Sequence, residues 1–149
     1  TLTLIKNGKK KTIGPFLFGT DGNHFDKIII SNNKENKLEF QMSGSDVYLF
    51  TLNKIPNLIK KYLDITKNNY NDFFIFHQAS KLILDSLMNK LDIKKEKFIV
   101  DLKYGNTTSS SIPITLKRAL EKKKIKKNHR VIICGFGVGL AWGVTSIIA

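Results

Sequence analysis

At residues 73–80 the chain reads FFIFHQAS, a continuous apolar run that passes directly into polar residues. Four consecutive large apolar residues, Phe73–Phe76, are typical of a strand that is buried on both faces. The apolar residues that follow recur at helical spacing, on one face of a helix beginning near Ala79. They are Ile83, Leu84, Leu87, Met88 and Leu91. A buried strand that leads into an amphipathic helix indicates an α/β domain.

Upstream of this unit the sequence predicts a long helix and two short strands. Ser45 and Asp46 can cap a helix that runs from Val47 toward Lys61. Pro56 lies inside this helix and is expected to kink or split it, because proline lacks the amide hydrogen that a helix uses. The predicted strands are Thr1–Ile5 and Ile28–Ile30, and the predicted loops are Thr12–Asp26 and Ser31–Lys37.

Downstream, one more strand and one more helix lead into a closing hairpin. Phe98–Val100 is predicted to be a buried strand, and a third helix begins near Ser110. Val131–Cys134 and Gly143–Ile148 are predicted strands joined by the glycine-rich Gly135–Gly139, so we expect them to pair antiparallel. The predicted fold class is therefore α/β, with a mixed sheet of about five strands flanked by helices.

The composition limits the classes of function. No apolar run reaches the ~18–20 residues of a membrane span, so no membrane partner is expected. The net charge is +13, from 25 Lys and Arg against 12 Asp and Glu, which favours an acidic partner. The only arginines are Arg118 and Arg130, which disfavours sequence-specific binding of nucleic acid, because such binding relies on arginine. A coding bias toward A and T explains most of the charge equally well.

Cys134 is the only cysteine in the sequence. A single cysteine excludes an internal disulfide framework and a cysteine-rich zinc site, and it fits the reducing cytoplasm. Because Cys134 lies in a predicted apolar strand, we expect an inert, buried thiol.

Three predicted loops carry candidate site residues. His77 follows a strand, a position from which side chains reach the crevice where α/β proteins bind ligands, although a single histidine is more often structural. Asn106 follows Gly105 in a tight turn, which alone is unremarkable. Gly135–Gly139 is predicted to be a hairpin whose backbone approaches a ligand, since no βαβ unit of a dinucleotide site fits after it. If the loops converge, they form a site with hydrogen-bond donors and no nucleophile.

The order of three motifs resembles the C-terminal half of a β-ketoacyl-acyl-carrier-protein synthase III. The motifs are HQAS at 77–80, GNTTSSSIP at 105–113 and GFGVGLAWG at 135–143. MSGSDVYLF at 42–50, followed by Ile55-Pro56, resembles the start of a helix in the same half. The resemblance implies one half of a thiolase-like αβαβα fold. Residues 1–149 would then be a C-terminal domain, and the N-terminal half with the catalytic cysteine would be absent from this chain.

The resemblance also implies the roles of individual residues. His77 and Asn106 match the family's catalytic His and Asn, whose donors stabilise the enolate left when a malonyl thioester loses carbon dioxide. The backbone N–H of Val138 matches the donor of an oxyanion hole. Substrate contacts are implied for Gln78, Ala79, Ser80, Gly44, Tyr48 and Phe136. The implied activity of the full-length protein is decarboxylative condensation of malonyl-ACP with an acyl thioester, in fatty acid or related acyl-chain biosynthesis.

The implied partners are an acidic acyl carrier protein, acyl-CoA or acyl-ACP, the missing N-terminal half and, at full length, a second copy in a cytoplasmic homodimer. No cofactor, metal, membrane or nucleic acid is implied, because the substrates carry phosphopantetheine or CoA. The fragment alone is expected to be inactive, since no acyl-enzyme forms without the thiolate, and to self-associate through an exposed apolar face.

Some features leave alternatives open. The family commonly has Asn where Ser80 stands, and often has Arg just beyond it, where this chain has Lys81-Leu82. These departures leave open the acyl donor and the carrier, and a specialised synthase for glycan or secondary-metabolite acyl groups remains an alternative. Two further alternatives are a thiolase-superfamily acyltransferase that does not decarboxylate, and a non-enzymatic basic binding module.

Overall fold

The computed structural model describes residues 1–67, 69 and 72–149, which form six strands and three α-helices. Two short 3-10 helices, at Gly22–Lys27 and Thr108–Ser110, accompany the regular elements. The strands are β1 (Leu17–Thr20), β2 (Ile28–Asn32), β3 (Leu38–Met42), β4 (Phe73–Phe76), β5 (Arg130–Gly137) and β6 (Ala141–Ile148). The α-helices are α1 (Gly44–Thr66), α2 (Lys81–Lys90) and α3 (Ser111–Glu121).

The main sheet has four strands in the order β1-β6-β5-β4. β4 and β5 are parallel, with Phe76 opposite Cys134, whereas β5–β6 and β6–β1 are antiparallel. The prediction of a mixed sheet with a closing hairpin is therefore confirmed. Phe98 forms only an isolated parallel bridge to Phe74, so the segment predicted as a fifth strand contributes a single point of pairing. β2 and β3 form a separate antiparallel pair.

The outer edge of the main sheet differs from the prediction. Thr1–Ile5 is exposed and has no regular structure, so the prediction of a strand there is wrong. The edge is instead formed by β1, which lies inside the predicted loop Thr12–Asp26. Gly19 faces Trp142 across the two strands, and a Cβ at Gly19 would lie 2.2 Å from the indole ring. Glycine weakens a strand by its low propensity, but it is required at this position because it leaves room for the tryptophan.

The three helices begin close to the predicted positions. α1 is one continuous element through Pro56, so the predicted split does not occur. Its sheet-facing side chains, including Ile55 and Ile59, are fully buried, and this burial outweighs the loss of one backbone hydrogen bond. α2 begins at Lys81, and the Ser80 hydroxyl caps it by accepting a hydrogen bond from the Ile83 amide at 3.3 Å. α3 begins at Ser111.

The helices cover both faces of the main sheet. α1 and α2 pack on one face, in a core cluster that includes Ile59, Leu84 and Phe74. α3 packs on the other face, around Ile75 and Val131. The carboxyl ends of β4 and β5 and the start of α3 consequently meet at one end of the sheet, which is where the candidate site lies. Among the described residues, no helix is both long and apolar enough to cross a membrane.

Candidate functional site

A cavity of about 680 Å³ opens at this end of the sheet. Three of the predicted loops contribute to its lining, through His77 after β4, Asn106 before α3, and the turn between β5 and β6. The structure thus brings together the residues that the sequence places on separate loops. Apolar side chains complete the lining, and they include Trp142, Phe18 and Phe40.

His77 is held from both its backbone and its ring. Its amide donates to the Cys134 carbonyl at 2.8 Å, which extends the pairing of β4 with β5 by one residue. Its ring nitrogen Nδ1 lies 2.8 Å from the Ser111 hydroxyl, and its ring edge meets the Phe136 ring at a centroid distance of 5.6 Å. Burial lowers the pKa of His77, although the backbone of Thr108 acts in the opposite direction. The imidazole is therefore neutral at pH 7.

Asn106 lies on an exposed turn. The turn begins at Gly105, whose φ of 67° lies in the left-handed region that glycine adopts most easily. The Thr108 amide donates to Asn106 Oδ1 at 3.0 Å, which orients the side-chain amide. Because the oxygen is held by the backbone, the NH₂ group is the end of this amide that can donate to a ligand.

β5 and β6 form the predicted antiparallel hairpin, although Gly135–Gly137 of the predicted connection belong to β5 and the turn itself is shorter. Phe136 is buried and Val138 at the tip is 69% exposed, and both residues line the cavity. Gly137 and Gly139 have φ values of 158° and 139°. A side chain at Gly139 would also meet the Ala141 amide nitrogen at 2.9 Å, so the backbone conformation around Val138 depends on this glycine.

Gln78 is buried directly after His77. Its side chain is 1% exposed, and both ends of its amide bind the protein backbone. Nε2 donates to the Phe76 carbonyl at 2.6 Å, and Oε1 accepts from the Asp101 amide at 2.8 Å. The Gln78 side chain thus braces the end of β4 against the segment that leads to Asn106, and a contact from Gln78 to a substrate stays a prediction.

The remaining predicted substrate contacts lie outside the lining of this cavity. Ala79 is half-buried beside the start of α2, and the Ser80 hydroxyl is used as its N-cap. Gly44 is exposed at the start of α1, and the Tyr48 hydroxyl lies 3.1 Å from the Ser86 hydroxyl on α2. Contacts from these residues to a substrate stay predictions.

The described residues that line the cavity include no cysteine. Cys134 is buried in β5, and burial raises the pKa of its thiol, so the thiolate is disfavoured as expected. Across the described ranges, no group of three or more His, Cys, Asp or Glu side chains is placed to hold a metal ion. The chemistry that this part of the chain can supply is therefore hydrogen-bond donation.

Sequence reasoning missed the polar contacts behind the cavity. No sequence pattern marks Ser111 as a site residue, yet it is buried against His77. Asp101 binds Arg118 of α3 in an ion pair, which fastens the segment before Asn106 to the helix after it. The run of serines at 109–111 shows no periodicity that would single out the third one.

Known proteins match the chain over this same region. The family model described as 3-Oxoacyl-[acyl-carrier-protein (ACP)] synthase III C terminal matches residues 65–148. A Beta-ketoacyl-[acyl-carrier-protein] synthase III of Prochlorococcus marinus (strain MIT 9301) is 37% identical over 110 residues, which cover 72% of this chain and 33% of that protein. The Porphyra umbilicalis protein of the same name is 33% identical over 156 residues, which cover 94% of this chain and 48% of that protein.

Solved structures match the fold. The crystal structure of 3-oxoacyl-(acyl carrier protein) synthase III from Pseudomonas aeruginosa PAO1 superimposes with a TM-score of 0.85 at 25% identity. The match covers 96% of this chain and 46% of that chain. The chain thus spans between a third and a half of the length of these relatives.

Proposed function

The chain belongs to the 3-oxoacyl-[acyl-carrier-protein] synthase III family, as a C-terminal domain with half of the thiolase-like fold, and from this premise we propose that the complete protein is a condensing acyltransferase. The proposed reaction joins a malonyl group on acyl carrier protein to an acyl thioester, with release of carbon dioxide. One observation carries the proposal: His77, Asn106 and the Val138 turn line the same cavity.

In the first proposed step, the bond between the malonyl carboxylate and its α-carbon breaks. Carbon dioxide leaves, and the electron pair moves onto the thioester as an enolate. His77 Nε2–H and the Asn106 NH₂ group donate hydrogen bonds to the enolate oxygen, where negative charge develops. A neutral imidazole suits this role because one of its ring nitrogens carries a hydrogen that can be donated.

In the second proposed step, the enolate carbon attacks the carbonyl carbon of an acyl group held as a thioester. The new carbon–carbon bond forms, a tetrahedral oxyanion develops, and the thiolate then leaves. The backbone N–H of Val138 donates to that oxyanion. The acyl-carrying cysteine is assigned to the N-terminal half of the complete protein, because the buried Cys134 does not suit the role.

We propose an acidic acyl carrier protein as the partner that delivers the malonyl group, and acyl-CoA or acyl carrier protein as the acyl donor. The net charge of +13 favours encounter with an acidic carrier. No cofactor is proposed, since the substrates bring phosphopantetheine or CoA with them. A cytoplasmic homodimer is the proposed state of the complete protein.

The proposal is tested by separating the two half-reactions in the complete protein. His77→Ala and Asn106→Ala are each expected to reduce carbon dioxide release from malonyl carrier protein by about 10²- to 10³-fold, because each removes a donor to the enolate oxygen. Acylation of the cysteine is expected to continue in both variants. Mass spectrometry of the acyl adduct measures it. Asn57→Ala, on the exposed side of α1, is the matched control.

Loss of acylation with decarboxylation intact would reverse the assigned roles. Acylation of the unmodified protein without any carbon dioxide release would instead indicate an acyltransferase that does not decarboxylate. Salt-sensitive retention on heparin, with neither half-reaction detected, would indicate a basic binding module.

A further inference from the structure

We propose that Ser111 is a positioning residue that fixes the tautomer of His77, so that Nδ1 accepts a hydrogen bond and Nε2 carries the ring hydrogen. The catalytic consequence of this role rests on the function proposed above. The tautomer itself is a property of the fold and can be measured separately.

The contact between the two residues is short and part-buried. Ser111 is the first residue of α3 and is 2% exposed. Its hydroxyl oxygen lies 2.8 Å from His77 Nδ1 and 3.3 Å from the Gln78 amide nitrogen. The serine thus meets two consecutive residues at the end of β4.

Counting hydrogens assigns a direction to each of these bonds. The backbone N–H of Gln78 can only donate, so the Ser111 oxygen accepts from it. The hydroxyl hydrogen of Ser111 then needs an acceptor. Burial removes its hydrogen bonds to water, and leaving it unpaired costs free energy. Among the contacts of this hydroxyl with the described residues, His77 Nδ1 is the one atom able to accept. Nδ1 is therefore unprotonated, and a neutral ring places its hydrogen on Nε2.

The surrounding contacts keep the ring in this orientation. The His77 and Phe136 rings form a T-shaped contact, with 81° between the two ring planes. The Gln78 side chain joins the Phe76 carbonyl to the Asp101 amide, and Asp101 in turn binds Arg118 on the same helix as Ser111. β4 and α3 are thus connected at two places, so the serine cannot readily move away from the imidazole.

The tautomer matters because it decides whether His77 Nε2, the ring nitrogen that Ser111 does not contact, offers a ligand a donor or an acceptor. With the hydrogen on Nδ1, Nε2 would present a lone pair and would repel an enolate oxygen. With the hydrogen on Nε2, the same nitrogen donates to it. Ser111 acts through His77 and has no assigned contact with substrate.

The test uses the complete protein with ¹⁵N-labelled histidine rings, studied by NMR at a pH where His77 is neutral. In the unmodified protein we expect the Nε2–H tautomer. In Ser111→Ala we expect this preference to weaken, and kcat for carbon dioxide release to fall about 10- to 100-fold with little change in KM, less than for loss of the donor itself.

Thr115→Val is the matched control. Thr115 lies one turn further along α3 and is 1% exposed, and its hydroxyl has no hydrogen-bond partner among the described residues. Its substitution removes a buried hydroxyl without removing a contact to His77, so the tautomer and kcat are expected to stay unchanged.

An Nδ1–H tautomer in the unmodified protein would overturn the inference without any variant being needed. An unchanged tautomer and an unchanged kcat in Ser111→Ala would overturn it as well. Absence of carbon dioxide release from the unmodified protein would contradict the proposed function, while the NMR measurement would still decide the role of Ser111.

Discussion

The two sides of the cavity differ in how firmly their polar groups are held. We call His77, Gln78 and Ser111 the wall, and Asn106 and Val138 the rim. In the wall, buried side chains bind one another and the backbone at 2.6 to 3.3 Å. In the rim, Asn106 is exposed and Val138 is 69% exposed.

The difference follows from the elements that carry each side. The wall stands on the end of β4 and the first turn of α3, and both elements have side chains in the core. The rim stands on two turns that depend on Gly105 and Gly139 for their backbone conformation. Rigid elements are suited to fixing the direction of a donor, whereas exposed turns leave donors accessible to a ligand. Substitutions in the wall should therefore affect stability as well as chemistry, whereas substitutions in the rim should affect binding and chemistry with little loss of stability.

The largest loss of stability is expected for Gln78→Met in the wall. Methionine fills a similar volume but leaves the Asp101 amide without its acceptor and the Phe76 carbonyl with one bond fewer. We expect the free energy of unfolding of the complete protein to fall by about 2 kcal/mol, as measured by urea denaturation. A change no larger than that of Asn106→Ala would remove the distinction between wall and rim.

A smaller, pH-dependent loss is expected for Asp101→Asn. Burial alone would raise the pKa of Asp101, but the hydrogen bonds from Arg118 and the Lys103 amide outweigh it and hold the pKa below 3.8. A carboxylate with a lowered pKa in the folded state stabilises the protein above its ordinary pKa, and the contribution disappears as pH falls through the folded value.

For Asp101→Asn we accordingly expect unfolding to become easier by about 1–2 kcal/mol at neutral pH. Urea denaturation at about pH 7, 5 and 3 should give the same difference at the first two values and a smaller one at the third. A difference independent of pH would show that the ion pair with Arg118 is not its source.

A third prediction concerns the protonation of His77. Because burial lowers its pKa below 6.5, the unfolded chain takes up a proton first as pH falls. The stability associated with the neutral ring is complete above 6.5 and decreases as pH falls through the folded pKa. An NMR titration of His77 in the folded protein should give a midpoint below 6.5, and a midpoint above 6.5 would contradict the buried position in the wall.

The smallest effect on stability is expected for Asn106→Ala in the rim. Among its contacts with the described residues, its side chain accepts one exposed hydrogen bond, from the Thr108 amide. The change in unfolding free energy should stay within about 0.5 kcal/mol, although decarboxylation is expected to fall strongly. Thermal denaturation and carbon dioxide release measured on the same preparation would check both halves of this expectation. A large loss of stability would place Asn106 with the wall.

Local sequence was sufficient wherever an element depends on its own neighbours. The apolar run Phe73–Phe76 predicted β4, and the helical spacing that follows predicted α2. It was insufficient for β1, because Gly19 and Trp142 come together only in the folded chain. Propensity alone assigned a glycine-rich segment to a loop, and the missing partner strand lies more than a hundred residues away.

The candidate site divides in the same way. The sequence by itself determined that His77 and Asn106 follow apolar segments and precede helices, since strand ends and turns are marked by local composition. Tertiary structure alone decided which buried groups hold them. Ser111 meets His77 across 34 residues, and Gln78 turns toward Asp101 across 23. Periodicity indicates which face of an element is apolar. The partner of a buried hydroxyl or amide is set instead by the packing of whole elements, because each such group must find a hydrogen-bond partner wherever the fold provides one.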